Sequence, residues 1–457
     1  MEELSLTEIA EAIDGQIKNK QEINISNISI DTRTLQSGDL FIALIGDNFD
    51  GHQFVADAFE KGAKAAIVSQ EIDSKQPLIE VEDTTVALQE LARYYRKKFA
   101  IPVIGVTGST GKTTTKDIVA SALSKKYKVL KTAGNFNNEI GLPLTLFRLD
   151  STFDAAVVEM GMRGLGQIEQ LAQIAEPNLG IVTNVGVTHI ELLKSQERIA
   201  QAKSELVSNL GDNSVAILNG DDEYVKQMAS LASGKVITYG LNQYNQIRAA
   251  NIENLGASGL KFDLVVDDEY ISKEVYIPAP GEYNVYNALA AICVGIALEF
   301  DLEDIKDGLE ELKLTEMRNQ ILESESGFKI INDAYNANPT SMEAALNTLE
   351  QVASNRKIAI LGDMLELGEI AKEEHNKVGK LVADKRIDYL VAVGELASEI
   401  AIGAEDNGMK QENIFSYLDK DAALKKILKI IKADDTILVK GSRGMKLEQI
   451  SYALQDK

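Results

Sequence analysis

Short apolar runs alternate with amphipathic stretches along most of the chain, and this succession predicts strands and helices in turn. In the middle of the chain the runs predict buried strands, with their turns, at 102–104, 153–161, 180–186, 215–222 and 235–240. A predicted helix after the first run keeps its apolar positions on one face, at Ile118, Val119, Ala122 and Leu123. Strands that alternate with helices favour a mostly parallel sheet covered by helices.

The pattern changes on both sides of this region. Residues 1–82 predict a small α/β unit, and after about residue 313 a second alternation of strands and helices begins. Residues 247–280 alternate apolar and polar side chains, which predicts antiparallel strands, and a long apolar helix follows to about Ala297. We therefore predict three domains, at 1–82, 83–313 and 314–457.

Composition narrows the function classes. The chain has 457 residues and a net charge of −23, which argues against a nucleic-acid partner. Its single cysteine, Cys293, lies in an apolar run, so neither a disulfide framework nor a cysteine metal cluster is available. No basic or apolar leader follows Met1, and no run approaches the ~18 apolar residues that span a bilayer. We therefore expect a cytoplasmic protein without a membrane span.

The strongest chemical signal is a glycine-rich loop at 105–115, between a predicted strand and a predicted helix. Backbone N–H groups of such a loop and the positive end of the following helix bind phosphate. Lys112 would reach the β- and γ-phosphates, and the Thr113 hydroxyl would bind Mg²⁺. The alternative is a plain glycine-rich turn, because Val106 stands where the general motif has glycine. Nucleotide binding is predicted for Gly108, Ser109, Thr110, Gly111, Lys112, Thr113 and Thr114.

Polar residues follow several neighbouring strands. Glu159 ends a buried strand beside the loop, where a carboxylate suits Mg²⁺, although a solvated strand end is the alternative. His189 lies just past the next strand, but a lone histidine is more often structural. Lys203 lies on a predicted helix, where the residue alone indicates a solvated lysine. Further polar stretches follow predicted strands, at 135–143, 333–339, 362–368 and 440–444.

Together these stretches resemble the Mur ligase family over the whole chain. The resemblance rests on the phosphate loop, whose Thr-Gly-x-x-Gly-Lys-Thr spacing is the family's own and accounts for Val106. It extends to Glu159, His189 and the stretches 135–143, 333–342 and 362–368, and to four further segments, at 31–33, 49–52, 202–205 and 281–287. Two C-terminal stretches, Asp-Ala-Tyr-Asn-Ala-Asn-Pro and Gly-Asp-Met-Leu-Glu-Leu-Gly, are similar to those of members that add D-alanyl-D-alanine.

The resemblance implies an α/β protein with a small UDP-binding domain, a central P-loop ATPase-like parallel sheet and a C-terminal Rossmann-like domain. It implies an ATP-dependent ligase whose substrates are UDP-N-acetylmuramoyl tripeptide and D-alanyl-D-alanine. A carboxylate is a poor electrophile, and transfer of a phosphoryl group turns its oxygen into a good leaving group. Such a ligase therefore works through an acyl phosphate, with catalysis by positioning and by charge stabilisation.

Residue roles follow from the same resemblance. Lys112, Asn138, His189 and Lys203 are the catalytic candidates, Asn138 beside the acyl phosphate. Two Mg²⁺ ions are implied, one at Thr113 and Glu159 and one at His189 and an N-carboxylated Lys203, because an added carboxylate supplies the oxygen ligands that Mg²⁺ prefers. The remaining ATP contacts would be Asn287 at the adenine, Asp333 at the ribose and Arg318 at the phosphates. Substrate contacts are implied for Ser29, Asp31, Arg33 and His52 on the UDP side and for Tyr335, Asn336 and Asn338 on the dipeptide side.

For three of the substrate candidates in the first 82 residues, the sequence alone favours a structural role. Asp31 and Arg33 lie at a strand tip and His52 lies in a loop, so turn and capping chemistry accounts for all three.

Other functions are weighed against this one. A sister ligase that adds the third amino acid carries an Asp-Asn-Pro-Arg stretch, which this chain lacks. Folate polyglutamate ligases lack a UDP-binding N-terminal block. A P-loop ATP-switch protein without ligase activity would turn over nucleotide without any amine acceptor. We expect a monomer, since no repeat or coiled-coil seam appears, and a hinge near residues 312–316 about which the domains close.

Overall fold

The computed structural model describes all of residues 1–457, built round three large sheets. The first sheet has five strands and is parallel except at one edge. Its strands in spatial order are Gln16–Lys18, Leu78–Glu80, Ala65–Val68, Leu40–Ile42 and Ile28–Ser29. Two strand pairs accompany it, Leu4–Ser5 with Asn24–Ile25 and Ile45–Gly46 with Phe49–Asp50. Its helices are Leu6–Ala12, the 3₁₀ turn Gly51–Phe54 and Val55–Glu60.

The second sheet has nine strands, and the predicted parallel and antiparallel parts both belong to it. The strand Ile247–Asn254 pairs in parallel with its neighbour on one side and antiparallel on the other, which joins the two parts. In spatial order the strands are Val129–Lys131, Ala155–Glu159, Val103–Thr107, Leu179–Val182, Val215–Asn219, Lys235–Gly240, Ile247–Asn254, Leu260–Val266 and Glu269–Ile277.

Helices cover both faces of the second sheet, so its central strands are buried along their whole length and show continuous apolar runs. The α-helices of this region are Thr84–Arg96, Lys112–Leu123, Gly141–Leu146, Gln167–Ala175, Ile190–Leu193, Gln196–Ser208, Glu223–Gln227, Tyr283–Ala297 and Leu302–Glu310. Two 3₁₀ turns lie at Met228–Leu231 and Gly256–Ser258.

The third sheet has six strands, parallel except for the edge strand Gln320–Glu323. In spatial order they are Gln320–Glu323, Lys329–Asp333, Thr436–Lys440, Lys357–Gly362, Tyr389–Val393 and Ile414–Tyr417. Its α-helices are Pro339–Val352, Ala371–Asp384, Ser398–Asp406, Lys420–Ile430 and Glu448–Gln455. Three 3₁₀ turns complete it, at Gly368–Ile370, Gln411–Asn413 and Arg443–Met445.

The first two sheets share an apolar core, whereas the third sheet packs on separate cores. One apolar core contains Ile67 of the first sheet, Leu88 and Leu91 of the helix Thr84–Arg96, and Val158 of the second sheet. The third sheet has cores of its own on its two faces. This shared core contains residues from both sides of the predicted boundary between residues 82 and 83. The three domain ranges therefore remain a prediction. None of the helices combines the length and the apolar character that crossing a bilayer would take.

Candidate active site

A cavity of about 1130 Å³ lies where the carboxyl ends of the strands of the second and third sheets face each other. The phosphate loop and the polar loop after residue 134 line one side, and residues 333–341 and 440–444 line the other. The first, second and third units are the parts of the chain built on the first, second and third sheets, and Ile30 lines the cavity from the first unit. This is the edge at which parallel α/β sheets form their sites. The volume slightly exceeds the ~300–1,000 Å³ of ordinary ligand pockets, so there is room for a nucleotide and part of a second substrate.

Two glycines give the phosphate loop its shape. Gly111 has a φ of +81° and caps the helix Lys112–Leu123, so the first N–H groups of that helix are free for a ligand. Gly108 has a φ of +153°, a conformation that side chains disfavour. Lys112 folds back over the loop and donates to the Gly108 carbonyl at 2.8 Å. The loop N–H groups and the Lys112 amine are therefore directed toward the same part of the cavity.

The end of a neighbouring strand holds this loop in place. The Thr110 N–H and hydroxyl both donate to Asn184 Oδ1, at 2.9 and 3.1 Å. The Thr183 hydroxyl donates to the Thr110 carbonyl at 2.7 Å, and the Gly186 N–H donates to Ser109 Oγ at 2.8 Å. No role is predicted for Asn184 from the sequence, although a polar pair at the end of a buried strand is a signal that could have identified it.

Gly108→Ala is expected to damage nucleotide binding. A Cβ at Gly108 would lie 1.8 Å from Thr183 Oγ1, so the loop must shift away from the strand that holds it. We expect a destabilisation of about 1–3 kcal/mol and an ADP affinity lowered about tenfold or more. Calorimetric titration with ADP and thermal melting measure both. Gly164→Ala is the matched control, because a Cβ there meets no atom within 4 Å; equal affinities in the two variants would contradict the account.

Oxygen ligands suited to Mg²⁺ meet beside the loop. The Thr113 hydroxyl donates to Glu159 Oε2 at 2.9 Å, and the Asn137 amide donates to Glu159 Oε1 at 2.8 Å. Arg318 reaches across from the third unit, with Nη2 at 3.2 Å from Thr113 Oγ1. No group of three or more carboxylate, imidazole or thiol side chains converges anywhere in the chain. This sparse set fits Mg²⁺, which proteins commonly hold through one or two side chains together with phosphates and water.

His189 lines the cavity together with Lys112, whereas Lys203 lies close to both residues but does not line the cavity. Lys203 is 2% exposed, and its side-chain amine forms no hydrogen bond or ion pair; burial, with the charge of Lys112 nearby, holds the pKa of Lys203 well below its usual value. His189 has a left-handed φ of +63°. Its Nδ1 lies 2.7 Å from Glu366 Oε2 of the third unit, without hydrogen-bond alignment. Burial lowers the pKa of His189, and the Glu366 carboxylate opposes that shift.

The third unit brings a cationic surface to the cavity. Lys440 is buried, donates to Asp333 and to the Asn336 carbonyl, and has its pKa lowered by burial. The Arg318 guanidinium lies over the Tyr335 ring, 4.0 Å from the centroid, and its Nε has no partner. Arg318 therefore approaches the phosphate loop already oriented by an aromatic face. Lys440 was noted in the sequence only as part of a polar strand end.

Three asparagines of the predicted site also line the cavity. Asn287 accepts a hydrogen bond from the Thr115 hydroxyl at 3.0 Å, directly behind the loop. Asn138 accepts from the Gly141 N–H at 2.9 Å. Asn338 caps the helix Pro339–Val352 and donates to the Thr188 hydroxyl of the second unit at 3.1 Å.

The residues predicted for the UDP side lie outside this cavity. Asp31 forms an ion pair with Arg33, whose hydrogen bonds lower the pKa of Asp31 to about 2, and Ser29 donates to the Asp31 carbonyl. The buried His52 ring has both nitrogens engaged: Nδ1 lies 2.6 Å from Asp50 Oδ1, and Nε2 accepts the Ser69 N–H at 2.9 Å. Turn and capping chemistry is present at these positions, and their role toward UDP stays a prediction.

Family comparisons cover most of the chain. Residues 24–96 match the model "Mur ligase family, catalytic domain", residues 106–295 match "Mur ligase middle domain", and residues 317–443 match "Mur ligase, glutamate ligase domain". The matched ranges contain residues 106–115 of the phosphate loop, the four metal candidates and the third-unit lining of the cavity up to residue 443.

Individual relatives are similar over nearly their whole length. UDP-N-acetylmuramoyl-tripeptide--D-alanyl-D-alanine ligase of Bacillus subtilis (strain 168) is 38% identical over 448 residues, 97% of this chain and 96% of that protein. A crystal structure of MurF from Acinetobacter baumannii matches with a TM-score of 0.92 at 33% identity, covering 100% of both chains. MurF ligase from Thermotoga maritima in complex with ADP matches with a TM-score of 0.83 at 28% identity, covering 94% of this chain and 97% of that one.

Proposed function

The chain belongs to the Mur ligase family, and from this membership we propose that it joins D-alanyl-D-alanine to UDP-N-acetylmuramoyl tripeptide at the expense of ATP. One observation supports D-alanyl-D-alanine as the substrate that is added, rather than the amino acid that another family member adds. The two C-terminal stretches typical of that subfamily, at 333–339 and 362–368, line the same cavity as the phosphate loop. The product is the UDP-linked pentapeptide of peptidoglycan synthesis, and the need for ATP supports a cytoplasmic site of action.

The reaction has two steps. The terminal carboxylate of the tripeptide attacks the γ-phosphorus of ATP, the bond to the β-phosphate oxygen breaks, and ADP leaves. The amine of D-alanyl-D-alanine then attacks the acyl carbon and loses a proton. Cleavage of the carbon–oxygen bond releases inorganic phosphate and leaves the amide. The first step brings two anions together, so positive groups around the phosphates carry much of the catalysis.

Residues of this chain supply those groups from two units. Lys112 and the loop N–H groups bind the β- and γ-phosphates, and Arg318 adds a second cation from the third unit. Its contact with Thr113 supports this role, because that contact places the guanidinium at the mouth of the loop. Closure of the third unit over the loop also excludes water, which would hydrolyse the acyl phosphate.

Metal ions fit the oxygen ligands that are present. We assign one Mg²⁺ to Thr113 and Glu159 and a second to His189 and an N-carboxylated Lys203; bound there, the ions would offset charge on the phosphates. Lys203 as an amine is no ligand for Mg²⁺, but its lowered pKa favours the neutral amine, which attacks the carbon of CO₂ and loses a proton to give the N-carboxylate. The N-carboxylate is the form that fits.

The remaining roles complete the proposal for a monomeric enzyme. Asn138 lies beside the acyl phosphate, and Asn287 and Asp333 bind the adenine and the ribose. The dipeptide side is assigned to Tyr335, Asn336 and Asn338, and the UDP side to Ser29, Asp31, Arg33 and His52. Since the cavity stops at Ile30 on that side, the UDP moiety would extend beyond it along the first unit.

Phosphate release from ATP tests the assignment. Purified protein is incubated with UDP-N-acetylmuramoyl tripeptide and D-alanyl-D-alanine, and each component is left out in turn. We expect release only when all three are present. Release with another amino acid in place of the dipeptide would indicate a sister ligase, and release without any acceptor would indicate an ATP-driven switch.

A further inference from the structure

The linker between the second and third units is tied to the helix that follows the phosphate loop. Thr315 donates twice to Asp117 Oδ2, from its N–H at 2.9 Å and from its hydroxyl at 2.7 Å. Asp117 lies on the helix Lys112–Leu123, four residues after Thr113 and on the same side of the helix. The linker is thus attached one turn away from the phosphate-binding residues themselves.

Asp117 is an unusual residue to find inside this unit. It is 1% exposed, and its Oδ1 lies 2.7 Å from Lys131 Nζ and 3.4 Å from Lys116 Nζ. Burial opposes its ionisation, but the two lysines hold the pKa of the Asp117 carboxyl below its usual value. One oxygen of the Asp117 carboxylate therefore pairs with lysines of the second unit, and the other accepts the hydrogen bonds of the linker. Hydrogen bonds to a charged acceptor of this kind are among the stronger ones in proteins.

The next linker residues belong to the third unit instead. The Met317 N–H donates to the Gln320 side chain and the Met317 carbonyl accepts from Tyr335, both at 3.3 Å. The Asn319 N–H donates to Asp333 at 3.2 Å. Met317 and Asn319 also have left-handed φ angles, +60° and +48°. Glu316, between the two attachments, forms no hydrogen bond, so the chain passes from one unit to the other at a single residue.

This geometry limits where Arg318 can lie. Arg318 lies three positions after Thr315, a span of at most about 10 Å. From there it reaches back to Thr113, at 3.2 Å from the hydroxyl. Asp117 and Thr113 are therefore two points on one helix that hold the linker and the arginine in a fixed relation.

We propose that Asp117 is a positioning residue for ligation: it clamps Thr315 so that the third unit, pivoting at Glu316, closes with Arg318 over the phosphate loop. The expected effect of this clamp on the rate rests on the proposed ligase function, whereas the contact between Asp117 and Thr315 does not. Without it the linker is free to hold the third unit at other angles, and the fraction of complexes with Arg318 in place falls.

Thr315 offers a matched pair of variants. Thr315→Val keeps the shape of the side chain and removes the hydroxyl that bonds to Asp117, while Thr315→Ser keeps that hydroxyl. We expect kcat/KM for ATP to fall about tenfold in the valine variant and to stay within about twofold of the wild type in the serine variant. Thr315 is partly exposed, so both variants should fold. Asp117→Asn should also lose activity, and adding Thr315→Val to it should cause little further loss, since both changes break the same contact.

Small-angle scattering with Mg²⁺ and a non-hydrolysable ATP analogue supplies a readout that a loss of stability alone would not move. A larger radius of gyration for Thr315→Val than for Thr315→Ser supports the clamp. Equal kcat/KM values for the wild type and both variants overturn it. If the wild type makes no peptide product, the ligase proposal is wrong. Equal radii of gyration for Thr315→Val and Thr315→Ser overturn the clamp whether or not the ligase proposal holds.

Discussion

Replacing Lys112 by methionine is expected to lower kcat for ligation about 10³-fold or more. The amine lies over the loop within 2.8 Å of the Gly108 carbonyl, where it can turn to the β- and γ-phosphates. Methionine keeps the length and apolar stem of the side chain but removes the charge that stabilises phosphoryl transfer. Steady-state phosphate release with saturating substrates measures the loss.

Two variants make the Lys112 result interpretable. Lys126→Met removes an exposed lysine just beyond the end of the same helix and should change kcat less than about twofold. Lys112→Arg keeps the charge but not the fit, and should recover only part of the activity. If Lys112→Met kept more than about a tenth of the wild-type kcat while still folded, the assignment of phosphate binding to this loop would be wrong.

Replacing Lys203 by alanine is expected to lower kcat about 100-fold or more. Loss of a residue that merely supports a metal ligand typically costs 10–100-fold, and Lys203 is proposed as a ligand itself. Arg198→Ala, at an exposed position on the same helix, is the matched control and should retain activity. Carbon-13 NMR of protein equilibrated with labelled bicarbonate should show a carbamate signal in the wild type that Lys203→Ala lacks.

The proposed modification also has a pH signature. Carboxylation consumes the neutral amine and releases a proton, so the carboxylated fraction falls as pH falls. Burial lowers the pKa of Lys203, which moves this loss to lower pH than for an exposed lysine. Added bicarbonate should therefore stimulate activity most at the acidic end of the active range. A bicarbonate effect that is equal at every pH, with no carbamate signal, would contradict the modification.

The parts of the site that the sequence predicts well are local in the chain. The phosphate loop is contiguous with the strand before it and the helix after it, so one window contains the whole motif. Glu159 ends a fully buried strand that pairs directly with the loop strand. The strands missed by the pattern, such as Gln16–Lys18 and Ile414–Tyr417, are three or four residues long and partly exposed, and so carry little periodicity.

The other parts depend on distant packing. Lys203 by itself indicates a solvated lysine, and only the tertiary packing around its helix makes it a buried amine. The contact of Asp117 with Thr315 joins positions 198 residues apart, and no pattern in the neighbouring sequence predicts it. Conversely, the ring of His52 is satisfied by Asp50 and Ser69 within the first unit, an arrangement that sequence alone does not separate from a ligand site.

The most direct test of the central claim follows an oxygen atom. UDP-N-acetylmuramoyl tripeptide labelled with oxygen-18 in its terminal carboxylate is incubated with ATP, Mg²⁺, D-alanyl-D-alanine and the protein, and the peptide product and the phosphate are analysed by mass spectrometry. We expect UDP-linked pentapeptide together with one labelled oxygen in each phosphate released, because the carboxylate oxygen leaves with the phosphoryl group. Phosphate released without label, or without pentapeptide, would contradict it.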